Sequence, residues 1–388
     1  MRIAMVGPFG FHPNKTMRSR ALGLARPLAA RGHEVQIFMP PWQTPAAADK
    51  RWQEDGVIIR NVPLAGGMPG IARRLLHEVL AWQPDVVHCF KPKAYSGLVA
   101  WWLWQFHRHK LRLVVDSDDW ESWGGWNNLA PYPPAQKYFF AWQEQWGLTH
   151  CHALTVASRA LETLAWGHGV PPERVAYVPN GSGISTQGTE NEERGTRNDP
   201  PSPPQLLLYS RLFEFDTARL VAVLQGVKTA VPTLHILAVG AGLYEADAAQ
   251  LRQQLAEANL LDIVEDAGWV EETALPDLLR RADVGLYLMD DTLLNRTKCP
   301  VKLADMAALG IPVVGEAVGQ VPEYVIHEQT GLLRPSGDTP GLTADLIRLL
   351  TKPETRTRMA QNGRHHYSAH FAWPRLADQV EQVYTDSD

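Results

Sequence analysis

Cysteine is scarce in this 388-residue chain, and the three present, Cys89, Cys151 and Cys299, lie far apart. That excludes a disulfide framework and a cysteine-built zinc site, and it fits a reducing cytoplasm. A strong excess of one charge is missing too: 37 basic against 42 acidic residues give a net charge of −5. A general nucleic-acid binder usually shows a basic excess, so that class is disfavoured. No uncharged apolar run approaches the roughly 18 residues that span a bilayer. The opening "MRIAMVGPFG" turns into a Gly/Pro loop too early for a signal peptide and reads as a buried strand. What remains is 45% hydrophobic and 20% charged, a soluble globular composition at a length that suggests two domains.

Short β-branched runs alternate with amphipathic stretches. "RIAMVG" precedes a helical pattern, "MRSRALGLARPLAARG", in which Pro27 predicts a kink. "EVQIFMP", "GVIIRNV", "DVVHCF", "LRLVVD", "ALTVAS" and "VAYVPNG" follow as strands, with helices from about Gly70 to Trp82 and Tyr95 to His107. This rhythm predicts an α/β domain with a parallel sheet and crossover helices over residues 1–180. Residues 181–204 are polar and rich in Gly, Pro and Ser, and read as a linker. The rhythm restarts at "QLLLYS" and runs through "LHILAVG", "DIVEDAGWV", "DVGLYLM" and "IPVVGE", a second Rossmann-like domain over 205–365. A terminal helix is expected within 366–388.

The stretch "LVVDSDDWESWGGW" ends an apolar run in three aspartates, Asp116, Asp118 and Asp119. Such a cluster suits a divalent metal, a nucleophile or base, the hydroxyls of a sugar, or plain helix capping. An aspartyl nucleophile of the dehalogenase type needs further Ser/Thr and Lys motifs that do not follow in order. In "TKCPVKLADMAALGIPVVG" a loop carrying Thr297, Lys298 and Cys299 enters a helix through Pro300. Its first turn, with Lys298 and Lys302, suits an anion such as a diphosphate. Asp305 shares a face with Lys302, where a carboxylate can take two ribose hydroxyls. The plainer alternative is a Lys–Asp surface pair. "VAWWLWQFHRHKLR" sets three tryptophans beside a basic run. A core helix is the favoured reading, an interfacial membrane helix the alternative.

That C-terminal segment, followed by Glu323 and "TGLL", resembles the signature of retaining GT-B glycosyltransferases of family four. The resemblance extends over the chain through "ARPLAARGHEVQIF", "PDVVHCFKP", "ALTVASRAL", "VAYVPNG" and the last helix. It implies two Rossmann-like domains facing a cleft, the terminal helix crossing back to the first, and a sugar-nucleotide donor bound mainly by the second.

The family's ribose-binding glutamate falls on Asp305, and its sugar-contacting glutamate on Thr297, a departure. Its diphosphate arginine falls on Arg211, and the following lysine on Asp216, a second departure. The replacement cations expected are Lys298 and Lys302, with Lys91 and Lys93 behind them. Gly240 marks the family's glycine turn, and Trp269 with Val270 the base-binding strand end. Cys299 and Glu323 complete the donor set. Gly7, Gly10 and Lys15 fall in the loop that covers diphosphate and acceptor, with Arg18 beside them. His88 falls near the acceptor pocket; a lone histidine at a strand end is also commonly structural. The family's His-Asp pair falls on Asp118 and Asp119, which become acceptor-side catalytic candidates.

The resemblance implies a retaining transferase, cytoplasmic and peripheral at most to a membrane. Its co-substrates would be a sugar nucleotide and a hydroxyl acceptor, with no metal and no nucleic acid. A sugar-nucleotide epimerase of the same fold is one alternative. A non-catalytic carbohydrate-binding scaffold, motivated by Thr297 and Asp216, is another.

Overall fold

The computed structural model describes residues 1–184, 203–240, 242 and 245–386. Most of the expected linker, 185–202, lies outside them. The chain forms two compact units. One comprises Met1–Gly183, Thr297–Cys299 and Phe371–Asp388; the other comprises Ile184–Arg296 and Pro300–His370.

The first unit is built on eight strands: β1 (Arg2–Val6), β2 (Glu34–Met39), β3 (Arg51–Glu54), β4 (Val57–Asn61), β5 (Val86–Phe90), β6 (Arg112–Ser117), β7 (Ala153–Val156) and β8 (Val175–Tyr177). Their order is β3-β4-β2-β1-β5-β6-β7-β8. All pairings are parallel except β3 with β4. The β3–β4 hairpin is absent from the sequence expectation, because "RWQE" is polar and short. Its turn is made by Asp55 and Gly56, both at positive φ.

Alternation along β1 divides the core. Ile3 and Met5 pack with Leu22, Leu24, Leu28 and the terminal-helix residues Trp373, Leu376 and Val380. Ala4 and Val6 pack on the other face with Ile71, Leu75, Val99 and Leu103. The first helix opens with a π-helical turn, Met17–Ala21, before Leu22–Ala30, which contains Pro27. The terminal helix, Trp373–Thr385, lies on this unit. Gly23 makes the close approach possible, since a Cβ there would collide with the Trp373 ring. Arg31 pairs with Asp378 at 2.6 Å and Glu381 at 2.9 Å on the same contact.

The second unit is an all-parallel sheet of β9 (Gln205–Tyr209), β10 (His235–Val239), β11 (Val264–Asp266), β12 (Val284–Tyr287), β13 (Val313–Glu316) and β14 (Gly331–Arg334). The order is β11-β10-β9-β12-β13-β14. Leu206 and Leu208 of β9 pack with Leu220 and Leu224 of helix Thr217–Ala230 and with Leu342, Leu346 and Leu349 of helix Thr339–Thr351.

In each sheet the strand order reverses at the first strand: β1 lies between β2 and β5, and β9 between β10 and β12. Open α/β sheets bind ligands beyond the carboxyl ends of strands at such a switch. The loops following β1, β5 and β6, and those following β9 and β10, occupy those ends.

Candidate active site

The three aspartates do not act as one group. Asp116, fully buried, takes two bonds from Arg20, at 2.8 and 2.7 Å, and one from the Thr155 hydroxyl at 2.6 Å. Its pKa is lowered because the Arg20 guanidinium outweighs the cost of burial. Arg20 also donates to Asn180 Oδ1 at 3.0 Å. Sequence reading missed Arg20. The clue was its position three residues after Met17 and four before Leu24, on the apolar face of its helix.

His88 also sits in this interior. It has no solvent exposure and bonds Tyr384 through Nδ1 at 2.8 Å and Thr155 through Nε2 at 3.0 Å. Burial pushes its pKa down to about 4. The strand end that suggested an acceptor contact therefore holds a neutral histidine tied to the terminal helix, with no exposed face for a ligand.

Asp118 and Asp119 face Lys91 instead. The Lys91 ammonium lies 3.0 Å from Asp118 Oδ1, 2.9 Å from Asp119 Oδ2 and 3.0 Å from Glu121 Oε1. Lys93 pairs with Glu121 at 2.6 Å and lies over the rings of Tyr132 and Phe140. Burial alone would lower the Lys91 pKa, but the charges of Asp118, Asp119 and Glu121 hold it well above its ordinary value. Glu121 is drawn down to about 2, against the cost of burial, by Lys91 and Lys93. Asp118 is raised to about 6 by burial, with Lys91 pulling it down and Asp119 pushing it up. The fully buried Glu144 accepts the Glu121 N–H at 3.2 Å and is raised well above a normal carboxylate by burial and by the Glu121 charge. Lys91 and Lys93, expected as reserve phosphate cations, are thus engaged by carboxylates of their own unit. The capping alternative also falls away for this stretch. The next helix, Trp126–Leu129, starts after Gly125 with no side-chain cap.

In the loop after β1, the Cβ direction of Gly7 is filled by Met17, whose Sδ would lie 2.5 Å from an added Cβ. Gly10 packs on Pro41. Arg18 pairs with Glu54 at 2.6 Å, and the Lys15 carbonyl accepts from Ser19.

Thr297, Lys298 and Cys299 cluster with the first unit. Ser158 Oγ donates to the Thr297 carbonyl at 2.7 Å, and Asn180 donates from its backbone to Cys299 Sγ at 3.1 Å and from its side chain to the Cys299 carbonyl at 2.8 Å. Lys298 lies over the Trp126 ring. Thr297 is fully buried, so its hydroxyl is not displayed at a surface.

In the second unit, helix Val301–Leu309 begins after Pro300. Asp305 is buried and accepts from the Tyr209 hydroxyl at 3.4 Å. Lys302 lies 5.1 Å over the Tyr209 ring. Burial, and then the Asp305 charge, raises the Tyr209 pKa well above normal, while Arg211 is close enough to oppose it. Tyr209, Arg211, Lys302 and Asp305 therefore gather at the end of β9. Tyr209 was absent from the sequence candidates, although it is the residue that ends the strand.

Asp216, at the family's lysine position, caps helix Thr217–Ala230 by accepting from Ala218 N at 2.9 Å. Arg219, one turn on, pairs with Asp290 and Glu316 at 2.7 and 3.0 Å. Gly240 adopts φ 64° and donates to the Gly268 carbonyl at 2.8 Å. Trp269 is 67% exposed rather than packed in a core, and Val270 beside it is half-buried. Glu323 is half-buried, and its carbonyl accepts from His366.

Among the described residues, no group of three or more His, Cys, Asp or Glu side chains is arranged to hold a metal ion, and no helix is long and apolar enough to cross a membrane.

Two α/β units, each with a switch point in its parallel sheet, make up a GT-B architecture. Residues 15–181 match the glycosyl transferase 4-like domain and residues 190–366 match the glycosyl transferases group 1. The chain belongs to the group 1 glycosyltransferases of family-four type and is a glycosyltransferase. A phosphatidyl-myo-inositol mannosyltransferase of Mycobacterium leprae is 23% identical over 99% of this chain and 96% of its own length. A glycogen synthase of Mycobacterium tuberculosis is 25% identical over 81% of this chain and 72% of its own length. Among solved structures, sucrose-phosphate synthase from Thermosynechococcus elongatus superposes with a TM-score of 0.72 at 20% identity, covering 99% of this chain and 98% of that one. Anabaena HepE, solved with UDP and glucose, gives 0.70 at 16% identity over 99% of each chain.

Proposed function

We propose that this enzyme is a retaining glycosyltransferase that moves a sugar from a nucleoside diphosphate to a hydroxyl acceptor without a metal ion. The gathering of Tyr209, Arg211, Lys302 and Asp305 at the end of β9 carries the donor half of this reading. Asp305 would take the ribose hydroxyls. Arg211 and Lys302, with the start of helix Val301–Leu309, would hold the diphosphate and stabilise its charge as it leaves. The bond from the sugar to the diphosphate breaks as a bond to the acceptor oxygen forms on the same face. The acceptor proton passes to the leaving phosphate oxygen. Asp118 would orient the acceptor hydroxyl, with Asp119 beside it. HepE was solved with UDP, and a related mannosyltransferase of Corynebacterium glutamicum is described as GDP-mannose-dependent. UDP and GDP sugars are therefore the donors to try first.

The deciding experiment is a thermal-shift panel of nucleoside diphosphates and their sugars. A ligand at a hundred times its Kd stabilises by about 2.7 kcal/mol. The shift should vanish in Arg211→Ala and Asp305→Ala and survive a chelator. If no nucleotide binds at millimolar concentration, the donor site does not exist. Altered sugar in an acceptor-free reaction would instead indicate the epimerase, and binding without turnover the scaffold.

Peripheral membrane contact is a second reading, favoured by one observation. Helix Ala94–His107 buries Val99, Ala100 and Leu103 but leaves Trp102 and Phe106 at 42% and 59% exposure. Between Lys93 and Asp116 the sequence contains no acidic residue and includes Arg108, Lys110 and Arg112. Sedimentation with phosphatidylglycerol vesicles tests this. Equal binding by wild type and a Trp102→Ala/Phe106→Ala variant would remove it.

A further inference from the structure

The strand-end constellation of the first unit holds more charge than a pair of acceptor-side acids requires. Lys91 and Lys93 on the loop after β5 face Asp118, Asp119 and Glu121 on the loop after β6 and Glu144 on helix Pro134–Thr149. Arg20 and Asp116 lie behind them, paired with each other. Lys91 is the hub. Its backbone adopts φ 50°, a region that β-carbon-bearing residues seldom enter, and is fixed there from both sides. Its N–H donates to the Asp116 carbonyl at 2.9 Å, and its own carbonyl accepts from the Ser96 hydroxyl. Its ammonium is buried, which is costly unless carboxylates surround it.

The contacts of that ammonium are not equivalent. It donates hydrogen bonds to Asp119 Oδ2 and Glu121 Oε1, whereas Asp118 Oδ1, 3.0 Å away, is held by charge alone and has no hydrogen-bond partner among the described residues. A buried carboxylate oxygen held ionised and left without a hydrogen bond is one that a substrate hydroxyl entering the site would satisfy.

We propose that Lys91 is the positioning residue of the acceptor side: its ammonium fixes Asp118, Asp119 and Glu121 in one arrangement and keeps Asp118 charged with capacity for an acceptor hydroxyl. The proposal rests on the acceptor-side reading of Asp118 given above. Burial weighs most against the Asp118 charge. Among its charged neighbours Lys91 favours the charge, with Arg20 behind it, and Asp119 disfavours it, with Asp116 behind it, so Lys91 and Asp119 oppose one another. Variants at the two positions must move it in opposite directions.

The test is a carboxyl titration of full-length protein labelled with ¹³C at aspartate, the Asp118 resonance being assigned by Asp118→Asn. Asp118 should titrate near 6 in the wild type. Loss of an opposite charge at this distance moves such a group by about one to three units, so Lys91→Met should raise the midpoint by at least about one. Asp119→Asn should lower it. UDP release from UDP-glucose, with glycerol as acceptor, should show an acidic limb that moves in the same order, at unchanged KM for the donor. A merely structural lysine would lower the rate alike at every pH and leave the titration in place; that result overturns the proposal. If Lys91→Met does not fold, Asp119→Asn carries the test with the opposite sign, and an unmoved midpoint there is equally decisive. If Asp118→Asn releases UDP at the wild-type rate, the acceptor-side reading fails and the proposal with it. If Asp118→Asn is inactive while Lys91→Met leaves the titration unmoved, only the proposal fails.

Discussion

Asp116 and Asp118 stand two residues apart on the same strand end and differ in almost everything else. Asp116 is bound by a guanidinium and stays ionised; Asp118 is raised by burial to about 6, against the pull of an ammonium that it shares with two other acids. The buried pair of Asp116 and Arg20 anchors His88 through Thr155, and this has a pH consequence. The folded His88 has a pKa near 4, below the ordinary value near 6.5 of an unfolded chain. A depressed histidine contributes stability that is complete above pH 6.5 and is lost as pH falls towards 4, where the unfolded chain takes a proton that the native state refuses. The loss is on the order of 3 kcal/mol. His88→Gln should lower stability at pH 7 and narrow its deficit against wild type between pH 6.5 and 4. Urea denaturation at several pH values measures this; a constant deficit would contradict the neutral, buried state.

The elements were largely legible because each strand carries a β-branched run and each helix an apolar face. The exceptions have physical causes. The polar hairpin strand Arg51–Glu54 lies at the sheet edge and is half-buried, so its composition gives little signal. The candidate site was legible in part. Asp305, Arg211 and Lys302 stand on the elements expected of them. The engagement of Lys91 depends on carboxylates some thirty positions away, which spacing along the chain cannot reveal. Arg20 was hidden for the same reason, its partner being 96 residues distant. The contact between the first and last helices yields its own prediction. Gly23→Ala should gain up to about 1 kcal/mol of helix propensity yet lose about 1–3 kcal/mol by overpacking against Trp373. The net effect is a lower Tm by calorimetry. In a Trp373→Ala background the collision is gone and Gly23→Ala should become stabilising, so the two substitutions will not add.

At the scale of the molecule, the first unit is assembled from three separate stretches of chain, whereas the second takes its apolar core from residues between 206 and 359. Residues 1–183 alone should therefore be deficient. Without Trp373, Leu376, Val380 and Tyr384 the apolar face of helix Leu22–Ala30 is uncovered and His88 loses its Nδ1 partner. The fragment should aggregate or bind an apolar dye, and co-expression with 371–388 should restore a soluble species, as size-exclusion chromatography would show. The same connectivity bears on how the protein is made. A ribosome delivers the helix beginning at Leu22 about 350 residues before its cover, the helix beginning at Trp373. Until that cover emerges, the nascent first unit exposes an apolar face of the kind that chaperones and proteases bind. A message cut before the codon for Trp373 would thus yield a chain that keeps its candidate donor residues and has a first unit marked for removal.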